Sequence, residues 1–140
     1  MAAILGLRGL CMKIVGLVAA LSLIGQAHAA SAESKLEYQL RLLDPSARLE
    51  QVCDIEAMAQ IRREAKEFRP DRAMASALAE PKASAASLEA KGAAFRSKGK
   101  WYQLSYVCQT SPDQMKVLSF DYKIGAAIPE DRWDGYGLPR

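Results

Sequence analysis

Carboxylates are the side chains with which this chain could carry out acid–base chemistry. The only histidine is His28, and the sequence around it is typical of an export signal. The remaining chain therefore has no imidazole for a Ser-His-Asp centre or for a histidine-containing zinc site. A pair of carboxylates can hydrolyse glycosides without histidine, and the candidates are Glu56, Asp113, Asp121, Glu130, Asp131 and Asp134. No spacing among them selects a pair, so we assign no catalytic, cofactor-binding or metal-binding residue and predict a protein that is not an enzyme.

The cysteines could form one disulfide bond. Cys11 lies in or before the predicted export signal, which leaves Cys53 and Cys108 as a pair in an exported chain. We predict that they are bonded, and two free buried thiols are the alternative. Closing a loop of about 55 residues would stabilise the fold by about 4 kcal/mol in the chain-entropy description.

Residues 1–29 have the three-part layout of a cleavable signal peptide. They supply, in order, basic residues, an apolar run of 11 residues and an A-x-A site: Arg8 and Lys13, Ile14 to Ile24, and Ala27-His28-Ala29. The apolar run is shorter than the roughly 20 residues that cross a bilayer, which argues against a retained membrane helix. We predict cleavage after Ala29 and no stable membrane span afterwards, with translation starting at Met1 or Met12.

Removal of the signal also changes the charge. Arg8 and Lys13 leave with it, so 17 basic residues remain against 16 acidic ones and the net charge falls from +3 to about +1. This excludes the strongly basic surface of a typical nucleic-acid-binding domain. The sequence contains no asparagine and hence no N-glycosylation acceptor, which favours a bacterial periplasm. We expect residues 30–140 to form one periplasmic domain with its core at about residues 43–138.

Two amphipathic helices are predicted after the signal. The first spans Glu33 to Leu43, and Asp44-Pro45 ends it and begins the second, because Asp is a favoured N-cap and Pro suits the first helical position. The second helix is expected to stop before Pro70. Its apolar residues recur at spacings of four and should pack on a sheet: Leu49, Cys53, Ala57, Ile61 and Ala65.

The next segments are less regular. Arg62 to Arg72 mixes basic and acidic residues, which fits a solvated helix end with local ion pairs, or an anion-binding patch. Residues 73–79 could form a helix or an edge strand, and we favour the strand. Glu80 to Ser87 is small and polar and is expected to be an exposed loop.

Gly92 to Ile124 is predicted to be an antiparallel three-stranded meander, because aromatic and β-branched residues alternate with polar ones. Lys98-Gly99 is expected to be a two-residue turn that places Phe95 opposite Tyr102. A three-residue loop, Ser111-Pro112-Asp113, would complete the meander. It would place Leu118 opposite Tyr106 and Phe120 opposite Leu104, all on the core face.

The other face of the meander is a candidate binding face. In this register Arg96 and Lys123 flank Trp101. The two cationic stems could simply shield an exposed indole. Alternatively, an aromatic ring between two cations could stack on a sugar or hold an anionic group.

The C-terminal segment from Ile128 to Trp133 should form a short helical turn, with Pro129 at its start and acidic residues in its first turn. Gly135 or Gly137 should end it. We expect Trp133 and Tyr136 to seal one edge of the core rather than to form an exposed binding pair.

Four sequence blocks together resemble a known bacterial family: RPDR, GAAFRSKGKWYQLSYVC, SFDYKIG and IPEDRW. Their order is similar to that in the family catalogued as domain of unknown function 930, over about residues 43–138. The resemblance implies an exported protein with a cysteine pair at Cys53 and Cys108, but no catalytic residue, ligand or reaction. The expected fold is α+β: a meander of three to four strands, two N-terminal helices on one face, a short C-terminal helical turn and one disulfide.

Three functions agree with these features. A non-catalytic periplasmic binding or envelope-maintenance module is the leading hypothesis, with an envelope component or a protein as partner. The alternatives are a carboxylate-dependent hydrolase and an inhibitor of an envelope hydrolase that presents the Ser111-Pro112-Asp113 loop.

Overall fold

The computed structural model describes residues 33–140, which contain two helices, five strands and two short 3₁₀ turns. Neither helix is long and apolar enough to cross a membrane. The predicted signal peptide, together with Cys11, His28 and the two possible start residues, lies outside the described residues.

Local capping sets both helix starts: the start of the second helix is as predicted, and the first begins two residues after the predicted Glu33. Helix α1 (Lys35–Leu42) follows Ser34, which exchanges hydrogen bonds with Glu37 in a capping box. Helix α2 (Pro45–Glu64) begins at Asp44, whose carboxylate accepts hydrogen bonds from two backbone N–H groups of the first turn.

Helix α2 ends earlier than predicted, at Glu64 rather than near Pro70. Ala65 is its C-cap residue, and the chain then turns into strand β1 (Pro70–Met74). The Arg62 guanidinium donates a 2.6 Å hydrogen bond to the Pro70 carbonyl. Residues 65–69 therefore form a short connection, and this hydrogen bond joins the end of α2 to the start of β1.

The strands form one antiparallel sheet. Its order is β1–β3–β4–β5, with β3 at Ser87–Ser97, β4 at Lys100–Thr110 and β5 at Val117–Ala127. The two-residue strand β2 (Lys82–Ala83) also pairs with β3. Of the segment predicted as an edge strand, only Ala73 and Met74 are in β1; residues 75–79 form turns and bends.

The β3–β4 hairpin has the predicted register. Phe95 pairs with Tyr102 and Arg96 with Trp101. Lys98 and Gly99 form the turn with φ angles of 51° and 73°, the left-handed backbone that a type I′ hairpin turn requires at both positions.

The predicted register between β4 and β5 is wrong. Tyr106 pairs with Tyr122 rather than Leu118, and Leu104 pairs with Ile124 rather than Phe120. The connection is not Ser111-Pro112-Asp113 alone but residues 111–116, which a 2.8 Å hydrogen bond from the Ser111 N–H to the Lys116 carbonyl closes. The observed register differs from the predicted one by four residues. Because this is an even number, Phe120, Tyr122 and Ile124 still face the core. Leu118 does not: it falls where the pairing is interrupted and is 69% exposed.

The main core lies between α2 and the sheet. The predicted helix stripe is buried from Leu49 to Ile61, and the residues of alternate parity in β3 and β4 pack against it. Cys53 and Cys108 form the predicted disulfide within this core. It joins the middle of α2 to β4.

One arginine of α2 binds the C-terminal end of helix α1. The Arg48 guanidinium donates to three carbonyl oxygens at the C-terminal end of α1, those of Leu40, Arg41 and Leu43, at 2.8 to 3.1 Å. Carbonyl groups in the last turn of a helix lack their usual partners within the helix, although the Leu40 carbonyl also accepts a 3.2 Å hydrogen bond from the Leu43 N–H. Arg48 therefore replaces part of the missing C-terminal hydrogen bonding and fixes α1 against α2.

The C-terminal segment lies across one end of the outer face of the sheet, the face away from α2. Its 3₁₀ turns are Glu130–Arg132 and Asp134–Tyr136, and Gly137 ends the second with a φ of 65°. A second apolar cluster forms beneath it, here called the outer cluster: Ala77, Ala94, Trp101, Ile128, Trp133 and Leu138. Trp133 thus packs on a sheet face rather than at the edge of the main core.

Candidate binding groove

The predicted binding face does not exist as a single exposed surface. Trp101 is 0% exposed because the outer cluster covers it, and its indole N–H donates a 2.9 Å hydrogen bond to the Pro139 carbonyl. Lys123 pairs with Ser105, which is four residues along β4 from Trp101, or about 13 Å. The expectation that Arg96, Trp101 and Lys123 share a ligand site is therefore wrong.

Arg96 has a structural role beside the buried indole. Its guanidinium lies 5.9 Å from the centre of the Trp101 ring and makes two hydrogen bonds to the Asp71 carboxylate, at 2.9 and 3.1 Å. The hydrogen bond from Arg96 lowers the pKa of Asp71. Arg96 lies beside the indole as predicted, but the C-terminal segment covers the ring, and Lys123 takes no part. Arg96 also binds β1 to β3.

The other half of the outer face is uncovered and forms a shallow groove. The C-terminal segment covers only the end near Trp101, and beyond it the polar positions of three adjacent strands line a depression of about 240 Å³. We call this the open groove and define it by six residues: Glu89, Lys91, Ser105, Val107, Asp121 and Lys123.

A β-bulge in β3 lies beside Lys91, which has the outward parity of Glu89 and faces this groove. The pairing with β4 shifts between Ala90 and Ala93, so that β3 contains one extra residue. The bulge is fixed from behind by a 2.7 Å hydrogen bond from the Leu78 N–H to the Gly92 carbonyl. A Cβ on Gly92 would lie 2.5 Å from the Ala79 nitrogen, so only glycine allows the chain after β1 to approach this closely.

A second depression of about 260 Å³ continues from the first toward Gln103 and Gly125, and both are lined by Lys91, Ser105 and Lys123. Gly125 leaves the space into which the Gln103 side chain fits, because a Cβ there would lie 2.8 Å from the Gln103 Cβ. Ser105 on β4 and Gly125 on β5 thus leave room for the groove to continue along the strands.

Charges in the open groove are arranged in two rows across the strands. One row holds Lys91, Ser105 and Lys123, and the next holds Glu89, Val107 and Asp121. The Lys91 ammonium lies 3.0 Å from a Glu89 carboxylate oxygen, with 74% of the lysine side chain exposed. The arrangement offers two ammonium groups and a hydroxyl to an anionic group, and two carboxylates to a neighbouring ammonium or hydroxyl group.

The domain family described as Domain of Unknown Function (DUF930) matches residues 40–138. The chain belongs to this family. The match spans both bonded cysteines, all six residues of the open groove and most of the C-terminal segment. No curated protein and no solved structure matches the chain.

Three of the six carboxylates proposed for catalysis lie in separate parts of this DUF930 domain, and the other three, Glu130, Asp131 and Asp134, share its C-terminal segment. Glu56 on α2 binds Arg63, Asp113 accepts hydrogen bonds within its own loop, and Asp121 lies in the open groove. Glu130 and Asp134 both contact Arg140 in the C-terminal segment. Within residues 33–140, no group of His, Cys, Asp or Glu side chains has the arrangement of a metal site.

The loop suggested for an inhibitor is packed against the body of the DUF930 domain. Gln114 is 6% exposed, and its side-chain amide donates a 2.8 Å hydrogen bond to the Ala85 carbonyl. Arg48 reaches the Asp113 carbonyl at 3.5 Å. Of this connection, Pro112, Asp113 and Lys116 are exposed.

A buried carboxylate that the sequence did not single out lies in the main core. Asp54 on α2 is 7% exposed; its two oxygens accept hydrogen bonds from the Tyr106 hydroxyl at 2.9 Å and the Ala75 N–H at 3.2 Å. Burial raises the pKa of Asp54 to about 6, although both hydrogen bonds oppose this rise. The signal was present in the sequence: Asp54 follows Cys53 on the buried side of α2, and Tyr106 has the core parity of β4, where a buried hydroxyl needs a partner.

Proposed function

We propose that this protein is a non-catalytic binding module of the bacterial periplasm, and that it holds an anionic glycan of the cell envelope in the open groove. The observation that carries the proposal is the lysine row. Lys91 and Lys123 lie on either side of the Ser105 hydroxyl on a sheet face that the C-terminal segment leaves uncovered.

The location rests on two features. Residues 1–29 have the layout of a signal peptide, and the disulfide between Cys53 and Cys108 is of the kind that persists in oxidising compartments. An intact N-terminus on protein purified from its native host, measured by mass spectrometry, would contradict export with cleavage after Ala29.

The groove favours a glycan with mixed charge over a lipid surface. Membrane surfaces attract clusters of basic residues, whereas the lysines here alternate with Glu89 and Asp121. Cell-wall glycopeptide carries carboxylates and ammonium groups beside sugar hydroxyls, so both charged rows would find partners. A serine and a glutamine in the linked depressions would serve as hydrogen-bonding groups for the hydroxyls.

A non-catalytic role is supported by the partners of the carboxylates rather than by their separation. Retaining and inverting glycosidases need two carboxyl groups about 5 to 10 Å apart around the scissile bond, and Glu89 and Asp121, two strands apart on either side of Val107, lie near the upper end of that range. Glu89 is already paired with Lys91, and Glu130 and Asp134 are both bound to Arg140.

Co-sedimentation with purified peptidoglycan tests the proposal. We expect the protein to sediment with the polymer, and the double variant Lys91→Ala, Lys123→Ala to bind roughly tenfold or more weakly, which is about 1.4 kcal/mol. The double variant Lys66→Ala, Lys116→Ala is the matched control, because it removes the same charge from exposed lysines elsewhere. Equal losses in both variants would indicate non-specific charge attraction and reject the groove, as would binding to anionic lipid vesicles but not to peptidoglycan.

A further inference from the structure

The outer edge of β5 is a long strand edge without a partner. This strand lies at one end of the sheet and pairs only with β4 among the described residues. Its middle, Ser119 to Ile124, is in unbroken register with β4, while the pairing shifts at both ends. A regular edge of this kind presents unpaired backbone N–H and C=O groups that can pair with another chain.

The charge pattern of this edge is complementary to itself. Asp121 and Lys123 are exposed and lie on either side of Tyr122. If two copies of β5 run antiparallel with Tyr122 opposite Tyr122, each Asp121 lies opposite the Lys123 of the other copy. We propose that the protein forms a two-fold symmetric dimer by pairing β5 with β5 of a second copy in this register, which joins the two sheets into one.

The backbone geometry allows this register without adjustment. Along a strand, the residues whose N–H and C=O groups point away from β4 all have the same parity. The proposed register pairs residues of equal parity, Asp121 with Lys123 and Phe120 with Ile124. Backbone hydrogen bonds therefore form across the axis whichever parity points outward.

Side chains on both faces of the β5–β5 contact would find partners in this register. On the helix side, Phe120, Tyr122 and Ile124 are only partly buried in the monomer. They would pack against the same three residues of the second copy. On the outer side, two oppositely charged pairs would form across strands, an arrangement that stabilises a sheet, whereas like charges directly opposite destabilise it.

Dimerisation would also join the two open grooves. Asp121 and Lys123 line the open groove at its β5 side, so the grooves of the two copies would meet at the seam and form one longer groove. The dimer does not depend on the proposed glycan ligand, and either could be correct without the other.

A charge swap tests the register. The protein is expressed from its full sequence, purified with its disulfide intact and examined by analytical ultracentrifugation over a wide concentration range. We expect a monomer–dimer equilibrium in the micromolar to millimolar range, because five residue pairs make a small interface. Asp121→Lys puts two lysines opposite each other at both symmetry-related positions, and Lys123→Asp does the same with two aspartates. Each variant should weaken dimerisation until no dimer is detected in the measured concentration range.

The double variant Asp121→Lys, Lys123→Asp should restore the dimer, while Glu89→Lys, which reverses a charge on the same face but away from the edge, should leave the dimer unchanged. A wild-type protein that stays monomeric at every concentration would overturn the proposal. So would dimers that are insensitive to both single variants. Circular dichroism of each variant shows whether it is folded before its association is compared.

A cysteine at the symmetry axis gives an independent test. Tyr122→Cys should form an intermolecular disulfide on mild oxidation, because directly opposed residues in adjacent strands have Cβ atoms about 4.5 to 5.5 Å apart. Ser119→Cys is the control: three residues from the axis, two such cysteines would lie about 20 Å apart and should remain reduced. Equal cross-linking of both variants, or of neither, would overturn the register.

Discussion

At the scale of single residues, Asp54 is the most informative side chain in the core. A buried carboxylate is unfavourable when ionised, and its two hydrogen bonds only partly offset the loss of solvation. Those bonds join α2 to β4 through Tyr106 and to the segment after β1 through Ala75. Asp54 therefore holds three parts of the fold together. The free-energy cost of burying it is higher when the carboxylate is ionised than when it is protonated.

We expect the stability of the protein to depend on pH through Asp54. Its pKa is about 6 in the fold against 3.8 as the ordinary value, so the folded state binds the proton more tightly than the unfolded state. The free energy of unfolding should therefore decrease as pH rises from about 4 to about 7, by roughly 2 to 3 kcal/mol from this residue.

Urea denaturation at several pH values measures this dependence. Asp54→Asn, which cannot ionise, should remove most of it, whereas the exposed control Asp131→Asn should keep it. If Asp54→Asn had the same pH profile as the wild type, the titration of Asp54 in the fold would not be the cause.

At the scale of elements, the bulge in β3 connects sheet geometry to the open groove. Gly92 lets the segment at Leu78 and Ala79 pack against the strand, and the extra residue lies next to Lys91 of the groove. The same position thus affects both stability and the proposed ligand site.

We expect Gly92→Ala to destabilise the protein by about 1 to 3 kcal/mol, the usual cost of overpacking, because the new methyl group would overlap the backbone of Ala79. Gly135→Ala is the matched control, since nothing lies within 4 Å of a Cβ placed there. Thermal unfolding of the two variants measures the difference. Equal melting temperatures would mean that the segment after β1 is free to move away.

Elements defined by local signals were predictable from the sequence, and those defined by distant contacts were not. Asp44-Pro45 fixes a helix start, and Lys98-Gly99 fixes a hairpin turn and its register. In contrast, the β4–β5 loop depends on Gln114, which is held by Ala85, and on Arg48 from α2. Composition at residues 111–116 does not reveal these partners, so the sequence predicted too short a loop.

The candidate site was predicted least well for the same reason. Alternation correctly placed Trp101 and Lys123 on the outer face, but burial of Trp101 requires a segment about 30 residues later to fold back over it. In addition, the observed β4–β5 register places Lys123 opposite Ser105 rather than Trp101, so the lysine and the tryptophan are apart. Lys91 lies in the groove because it has the parity of Glu89. The predicted strand began at Gly92, and extending the parity of Phe95 back through the bulge would have placed Lys91 on the core face.

At the scale of the whole molecule, the disulfide connects the helical layer to the sheet. Cys53 and Cys108 are 55 residues apart, and both are fully buried. Losing the bond frees a long loop in the unfolded chain while leaving the packed contacts of the core in place.

We expect Cys53→Ala, Cys108→Ala to lower the free energy of unfolding by about 4 kcal/mol without changing groove binding, because neither cysteine lines the groove. Urea unfolding with and without a reductant measures this. Wild-type protein with reductant should approach the stability of the variant. A variant as stable as the oxidised protein would show that the disulfide is dispensable.

The cover over Trp101 has a consequence for how the protein is made. Ribosomes synthesise chains from the N-terminus, so Trp101 emerges well before Trp133 and Leu138, which bury it. During that interval the indole and its neighbouring alanines lack the residues that bury them in the fold, and they are open to any chaperone in reach. The C-terminal segment thus completes the fold, because Trp101 becomes buried only once the chain has been made as far as Leu138.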